Sequence, residues 1–262
     1  GNILTKKEYS YTTGTVGTAL DTITYSYGDS TWKDLLTSYD GQALTTDAIG
    51  NLTDDGTWSY AWQHGRQLYE MSKSGTSVAF GYDFDGKRIT KTVGDTTYSY
   101  HYLGSQLAEM SWNSNNLHFT YDEVGPMSVA YGGAEYFYLK NAQGDVTGLV
   151  DSSGTQVVAY TYDAWGKPET ETVSSKLNGI NISKSYTGYV YDETTGYWNA
   201  GARMYNSTDR EFIQKDPKAG NVYETLTQNG YIYCGDNPLY YIDPDGCSYV
   251  STLGNAGRGA HA

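Results

Sequence analysis

The side chains in this sequence best placed to do chemistry are carboxylates. One stretch, Ser185 to Cys247, is unique in the chain, rich in Asp and Glu and dense in Asp-Pro and Asn-Pro turns. Two carboxyls close enough to share a proton can serve together as base and acid. Asp-Pro and Asp-Gly are also ordinary turn formers, because Asp accepts backbone N–H bonds two residues on, and the chain uses Asp that way many times elsewhere. Other chemistries find less support. Asp83-x-Asp85-Gly86 and Asp243-x-Asp245-Gly246 open like a calcium loop, but neither continues with the spaced acidic ligands and distal Glu that the loop requires. His64, His101, His118 and His261 are scattered, with no i, i+4 pair and no nearby Cys, so nothing suggests zinc. No glycine-rich loop with a following Lys-Ser/Thr and no serine nucleophile elbow is present. The expectation is a chain without cofactor or metal. Cys234 and Cys247 allow one disulfide at most and read as two unrelated small residues, Cys234 as a packing thiol.

The elements that must position these groups are strands. Phe80-x-Tyr82-Asp83-x-x-Gly86, Phe119-x-Tyr121-Asp122-x-x-Gly125 and Tyr160-x-Tyr162-Asp163-x-x-Gly166 are one motif written three times, 39 and 41 residues apart. Weaker copies at Gly65, Gly104 and Gly144 halve the interval to roughly 20 residues, the period of a repeated supersecondary unit, and Gly50 belongs to the same series. Aromatics at i and i+2 lie on one face of a strand; Asp and Gly then suit the reversal. The unit is a hairpin, and Gly86, Gly125 and Gly166 are expected at equivalent turn positions. The same i, i+2 pairing recurs at Tyr9/Tyr11, Tyr25/Tyr27, Trp58/Tyr60/Trp62, Tyr98/Tyr100/Tyr102, Tyr136/Tyr138, Tyr189/Tyr191 and Tyr231/Tyr233. No long stripe of period 3.6 occurs, so the fold class is all-β with little helix. The first 45 residues read as a degenerate repeat, Ser174 to Ser185 as a long loop, and the Gly-rich end after Cys247 as a segment without strands, mobile or lying in a cavity.

Composition narrows the partners. The 28 Tyr against 5 Phe favour sheets whose rings keep a hydroxyl wet or hydrogen-bonded. A net charge of −13 argues against binding nucleic acid or anionic lipid through this region and would suit a cationic partner or cargo. No apolar run approaches the roughly 18 residues of a membrane span. The start at Gly1 carries no signal-peptide pattern, and the chain reads as a fragment of something longer.

The stretch from Ser185 to Cys247 resembles the core that ends RHS-repeat (YD-repeat) proteins. Tyr186, Tyr189, Tyr191 and Asp192 begin the matching pattern. Thr195-Gly196, Ala202-Arg203-x-Tyr205 and Arg210-x-Phe212-Ile213-x-x-Asp216 continue it, and Asn237-Pro238 and Asp243-Pro244-Asp245-Gly246 close it. The resemblance implies β-hairpin repeats over 1–184 that spiral into a curved, hollow β shell, with a core over 185–247 curled inward as a plug. A variable C-terminal region, often a toxin, would begin over 248–262. In several members the core is an intramolecular aspartyl protease that cuts after the closing motif. Carried over, the scissile bond is Cys247–Ser248, the catalytic pair is Asp216 with Asp243, and Asp236 or Asp245 are substitutes for the second. Arg203 and Arg210 would hold carboxylates in bidentate fashion. The partners so implied are the chain's own upstream repeats, needed to close the shell, and a C-terminal cargo, in a secreted or cell-surface bacterial protein. The alternative is a non-catalytic surface adhesin or glycan-binding module, since aromatic rows beside acidic and amide turns also suit sugars.

Overall fold

Side chains alternate across a strand, and a turn signal arrives every few residues, so each strand can pair with the next in sequence and no other rule is needed. The structure, a computed structural model, describes residues 2–123, 125–175, 177, 180 and 185–251. It is nearly all β, and every strand pairing joins antiparallel neighbours in sequence. Four strands from Thr5–Glu8 to Gln42–Ala43 form a first sheet, and fourteen from Thr45–Thr46 to Pro168–Val173 form an open, unclosed second sheet. Five short strands from Ser185–Tyr186 to Glu211–Phe212 make the sheet of the core segment, and Tyr241–Ile242 pairs with Val250–Ser251. Helix among the described residues is confined to two 3-10 turns, Thr225–Gln228 and Cys234–Asp236. Among the described residues no helix is long and apolar enough to cross a membrane.

The repeat motif has a consistent physical content. Asp83 donates its N–H to Lys87 O, Gly86 N–H returns to Asp83 O, and Asp83 Oδ1 accepts from the N–H groups of Asp85 and Lys87. Asp163 to Lys167 repeats all four bonds, and Asp47 to Asn51 and Asn141 to Asp145 do the same around Gly50 and Gly144. The second aromatic of each motif copy spends its hydroxyl identically: Tyr82 on Leu68 O, Tyr121 on Leu107 O and Tyr162 on Val146 O, at 2.7 to 2.9 Å. A phenylalanine there would leave each carbonyl short of a donor.

Gly125 departs from the expected equivalence. Gly86 and Gly166 share φ near +80°, whereas Gly125 has φ +122° and lies in a tight reversal directly opposite Asp122. The cause is the next residue. Pro126 stands where Lys87 and Lys167 stand, and it has no N–H to close the turn on the Asp side chain. Space distinguishes the other two glycines: a Cβ on Gly86 meets nothing nearer than Gln67 at 3.8 Å, but one on Gly166 would lie 2.5 Å from the Tyr186 ring. Gly86→Ala is therefore expected to cost about 1 to 2 kcal/mol for the left-handed backbone. Gly166→Ala should cost about 1 to 3 kcal/mol more for overpacking against the core. Equal denaturation midpoints for the two variants would refute this.

Three apolar clusters show how the sheet and the core segment meet. Leu107, Met110, Leu117, Val129, Leu149 and Val158 line one face of consecutive strands and are buried together with Leu177. Leu68, Met71, Val78 and Phe80 pack against Tyr197, Met204 and Ile213 of the core segment. Trp198, Tyr205, Phe212 and Tyr233 form that segment's own aromatic centre, and Tyr162 and Trp165 of the sheet lean on it. The core segment thus sits against the sheet's apolar face. Tyr9 and Tyr11 lie outside any strand, and Tyr231 and Tyr233 are in turns; both were expected on strands. Val250–Ser251 is a strand where none was expected, because Tyr241–Ile242 offers it an unpaired edge. The rest of the C-terminal segment, 252–262, and much of the expected loop at 174–185 lie outside the described residues.

The first strands are tied to the core by buried polar groups. Tyr27 donates its hydroxyl to Glu211 at 2.8 Å, and Tyr39 donates to Thr208 O at 3.0 Å. Asp209 and Glu211 are both buried here. Burial, then the neighbouring Asp55 charge, pushes Asp209 up to about 7 against the Glu211 and Asn206 donors, and burial and Asp209 push Glu211 upward too. A raised carboxyl keeps its proton in the native state over a pH range where the unfolded chain has lost it. Its stabilisation is then present at acid pH and declines as pH rises from the unfolded value near 4 to about 7. At 1.36 kcal/mol per unit, the roughly two units between pH 5 and about 7 give a decline of about 3 kcal/mol from Asp209 alone, or about 5 to 10 °C in midpoint. Melting at pH 5 and pH 7.5 should show it, and Asp209→Asn should flatten the difference. A wild-type midpoint that is the same at both would refute the argument.

Candidate active site

The closing motif is shaped by its own side chains. Asp243 is buried, and its Oδ1 accepts from the N–H groups of Cys247 at 3.0 Å and Ser248 at 2.9 Å. Gly246 permits the bend with φ +71°, and a Cβ there would stand 2.7 Å from Ala200 O. Asp245 Oδ1 accepts the same Cys247 N–H at 3.0 Å. The carboxyls of Asp243 and Asp245 are within hydrogen-bond reach of each other.

Arg203 is the hub to which the rest attaches. It is buried with its guanidinium 3.5 Å over the Phe212 ring. Nη2 reaches Asp216 Oδ2 at 3.0 Å and Asp243 Oδ2 at 3.3 Å, Nη1 donates to Gly230 O at 3.0 Å, and Nε donates to Gly246 O. Asp216 is held from behind: its N–H donates to Gly230 O, and its Oδ1 accepts from Lys218 N–H at 2.7 Å. The Lys218 ammonium bridges Asp245 Oδ2 at 3.2 Å and Ser248 Oγ at 3.4 Å.

Arg203 therefore joins Asp216 to Asp243, and Asp243 reaches the N–H groups of Cys247 and Ser248. Arg210 is not among them: its guanidinium stacks 4.7 Å over Trp165, and its buried Nε has no hydrogen-bond partner among the described residues. The pairing inside the cluster differs from a simple dyad. Asp216 and Asp243 flank a common cation, and the carboxyl that Asp243 meets is Asp245. Sequence reasoning did not single out Lys218, although its place two residues after Asp216 is where an Asp side chain bonds backbone.

The electrostatics separate the two neighbours. Burial pushes Asp243 up and Arg203 only partly opposes it, with the nearby Asp245 charge adding to the rise. Burial also raises Asp245, but the Lys218 ammonium and the Cys247 N–H outweigh it and hold that carboxyl below its ordinary value. Of the two carboxyls, Asp243 is thus the one held above its ordinary value and Asp245 the one held below. Cys234 and Cys247 are both free thiols; Cys234 is fully buried, and burial drives its pKa up, as expected of a packing residue. Among the described residues no group of His, Cys, Asp and Glu is arranged to hold a metal ion.

A hairpin meander that packs a short aromatic core segment against its apolar face is a fold of the RHS type. No protein-family model matches the chain. It is 36% identical over 234 residues to the tRNA3(Ser)-specific nuclease WapA of Bacillus spizizenii, and equally to the tRNA nuclease WapA of Bacillus subtilis. Each match covers 86% of this chain and 10% of the relative. Salivary gland surface protein 1 of Aedes aegypti is 29% identical over 195 residues, 68% of this chain and 6% of that protein. Among solved structures, TcdB2-TccC3 without its hypervariable C-terminal region is similar with a TM-score of 0.61 at 17% identity, over 86% of this chain and 13% of that one. A Photorhabdus luminescens Tc holotoxin pore is similar with a TM-score of 0.60 at 16% identity, over 86% and 13%. At such identities the structural likeness speaks to the fold alone. The chain spans about a tenth of the length of the curated relatives it matches.

Proposed function

We propose that this chain is the closing part of a YD-repeat shell whose core cuts its own backbone between Cys247 and Ser248. The cut frees a C-terminal, toxin-like cargo that begins at 248. The observation that carries the reading is the position of Asp243, whose Oδ1 is 2.9 Å from the Ser248 nitrogen while its Oδ2 shares Arg203 with Asp216. In the proposed reaction Asp216 takes a proton from a water, whose oxygen adds to the Cys247 carbonyl carbon. The Ser248 nitrogen gains a lone pair as that carbon becomes tetrahedral, and Asp243 gives it a proton as the C–N bond breaks. The products are a Cys247 carboxyl and a Ser248 amine. Ser248 is exposed, so water has access.

The RHS-type fold and the nuclease and toxin names of the relatives support a role in bacterial toxin delivery, from the cell surface or after secretion. The shell is closed in this reading by repeats upstream of the matched tenth. The adhesin alternative needs an open aromatic face, and the buried aromatic clusters favour the shell instead. Intact-mass measurement of the full chain under denaturing conditions tests the proposal. The expected result is a species ending at Cys247 and a released piece starting at Ser248. A single uncut chain would end the protease reading and leave the shell reading standing.

A further inference from the structure

A second charged cluster lies beside the aspartates and takes no part in the chemistry above. Arg88, at the start of strand Arg88–Val93, is buried with its guanidinium 4.1 Å over the Phe80 ring. Its Nη2 meets the Met204 sulfur at 2.9 Å, its Nη1 stands 3.7 Å from Asp192 Oδ2, and its Nε has no hydrogen-bond partner among the described residues. Tyr82 also hydrogen-bonds the guanidinium but brings no counter-charge. Asp192 is already committed, because its Oδ1 accepts from the buried Lys91 ammonium at 3.1 Å and from the N–H groups of Thr194 and Thr195. Two buried cations thus share one buried carboxylate. A buried ion without matching counter-charge is costly, and an anion from outside would relieve the imbalance.

There is room for one. Arg88 lines a cavity of about 220 Å³ between the sheet and the core strand Met204–Asn206. Its wall carries Arg66, Arg203 and His64, with Asn199 and Gln214 as amide partners; the adjoining cavity, which shares Gly86, Arg88 and Asn199 with it, carries Asp85 and Asp245. Arg203 on this wall is already paired with Asp216 and Asp243, so the cations left for a ligand are Arg88 and Arg66. The volume is several times the ~30 Å³ share of one water and below the ~300 Å³ at which drug-sized pockets begin. Guanidinium forks match the oxygens of a tetrahedral anion two at a time.

We propose that this cavity binds a small oxyanion of the phosphate class, with Arg88 Nε as the buried donor and Arg66 and His64 nearer solvent. Binding neutralises the excess charge where the core packs on the sheet, so the anion fastens the two together. A ligand that binds only the folded state raises stability with its concentration. In the full chain, the thermal midpoint should rise with inorganic phosphate, and with sulfate, relative to chloride at equal ionic strength, and calorimetric titration with phosphate should saturate. Arg88→Met should weaken phosphate binding at least tenfold and abolish the midpoint rise, while its midpoint in chloride equals or exceeds that of wild type because the unmatched charge is gone. Arg66→Gln, at a half-buried position, should weaken binding severalfold; because it also gives up the Nη1 bond to Lys215 O at 2.9 Å, its midpoint in chloride is the reference for its own phosphate response. The proposal is overturned if phosphate shifts wild type no more than chloride does, or if Arg66→Gln and Arg88→Met bind phosphate as wild type does.

Discussion

Asp243→Asn is expected to leave the Cys247–Ser248 bond uncut, with the rate lowered by a factor of ~10² or more, the usual contribution of a positioned acid or base. The amide oxygen can still accept the N–H groups of Cys247 and Ser248, so the closing bend has its local bonds. It has no acidic proton for the departing nitrogen, and if that oxygen keeps the two N–H groups, its NH2 faces the Arg203 donor that Asp243 Oδ2 accepts at 3.3 Å. Asp216→Asn should stop the cut as well, because it removes the base from a position that is only partly buried and is less costly to alter. The acid role also sets a pH dependence. Burial, aided by Asp245, raises the Asp243 pKa, so the cut should slow as pH climbs through that raised value and the acid is lost. Denaturing mass spectra over a pH series report both effects. A wild-type rate in the folded Asp243→Asn chain would remove Asp243 from the mechanism.

Arg203→Met is expected to destabilise the core by about 3 to 5 kcal/mol, the range for breaking a buried charge cluster by removing one partner. Its guanidinium alone reaches Asp216, Asp243, Gly230 O and Gly246 O, and its flat face covers Phe212. Methionine restores much of the packing but none of the four polar contacts, so the buried Asp243 loses its counter-charge. Arg203→Lys should rescue little, because a compact ammonium cannot span acceptors that lie on several sides of a planar fork. Chemical denaturation is the measurement, and a loss below about 1 kcal/mol, the scale of an exposed pair, would show that the hub does not hold the core.

What the sequence determined by itself is what short-range bonding controls. The Asp-x-x-Gly-Lys turns close on hydrogen bonds between residues no more than four apart, so Asp83 to Lys87 and Asp163 to Lys167 could be read directly, and Pro126 carries in plain view the reason why Gly125 differs. Strand alternation likewise made the hairpin meander legible, and the ordered pattern from Tyr186 to Gly246 pointed to Asp216, Asp243, Arg203 and the Cys247–Ser248 bond. Arg210 followed from the same pattern and belongs elsewhere, since spacing along a chain does not say which way a side chain turns. Tertiary structure decided the rest. Arg203 meets Asp243 across 40 residues, Arg88 meets Met204 across 116, and Tyr27 meets Glu211 across 184. Whether a carboxyl is raised, like Asp209 and Asp243, or lowered, like Asp245, depends on burial and on which cations the fold delivers to it. Those quantities exist only once the core segment has packed against the sheet.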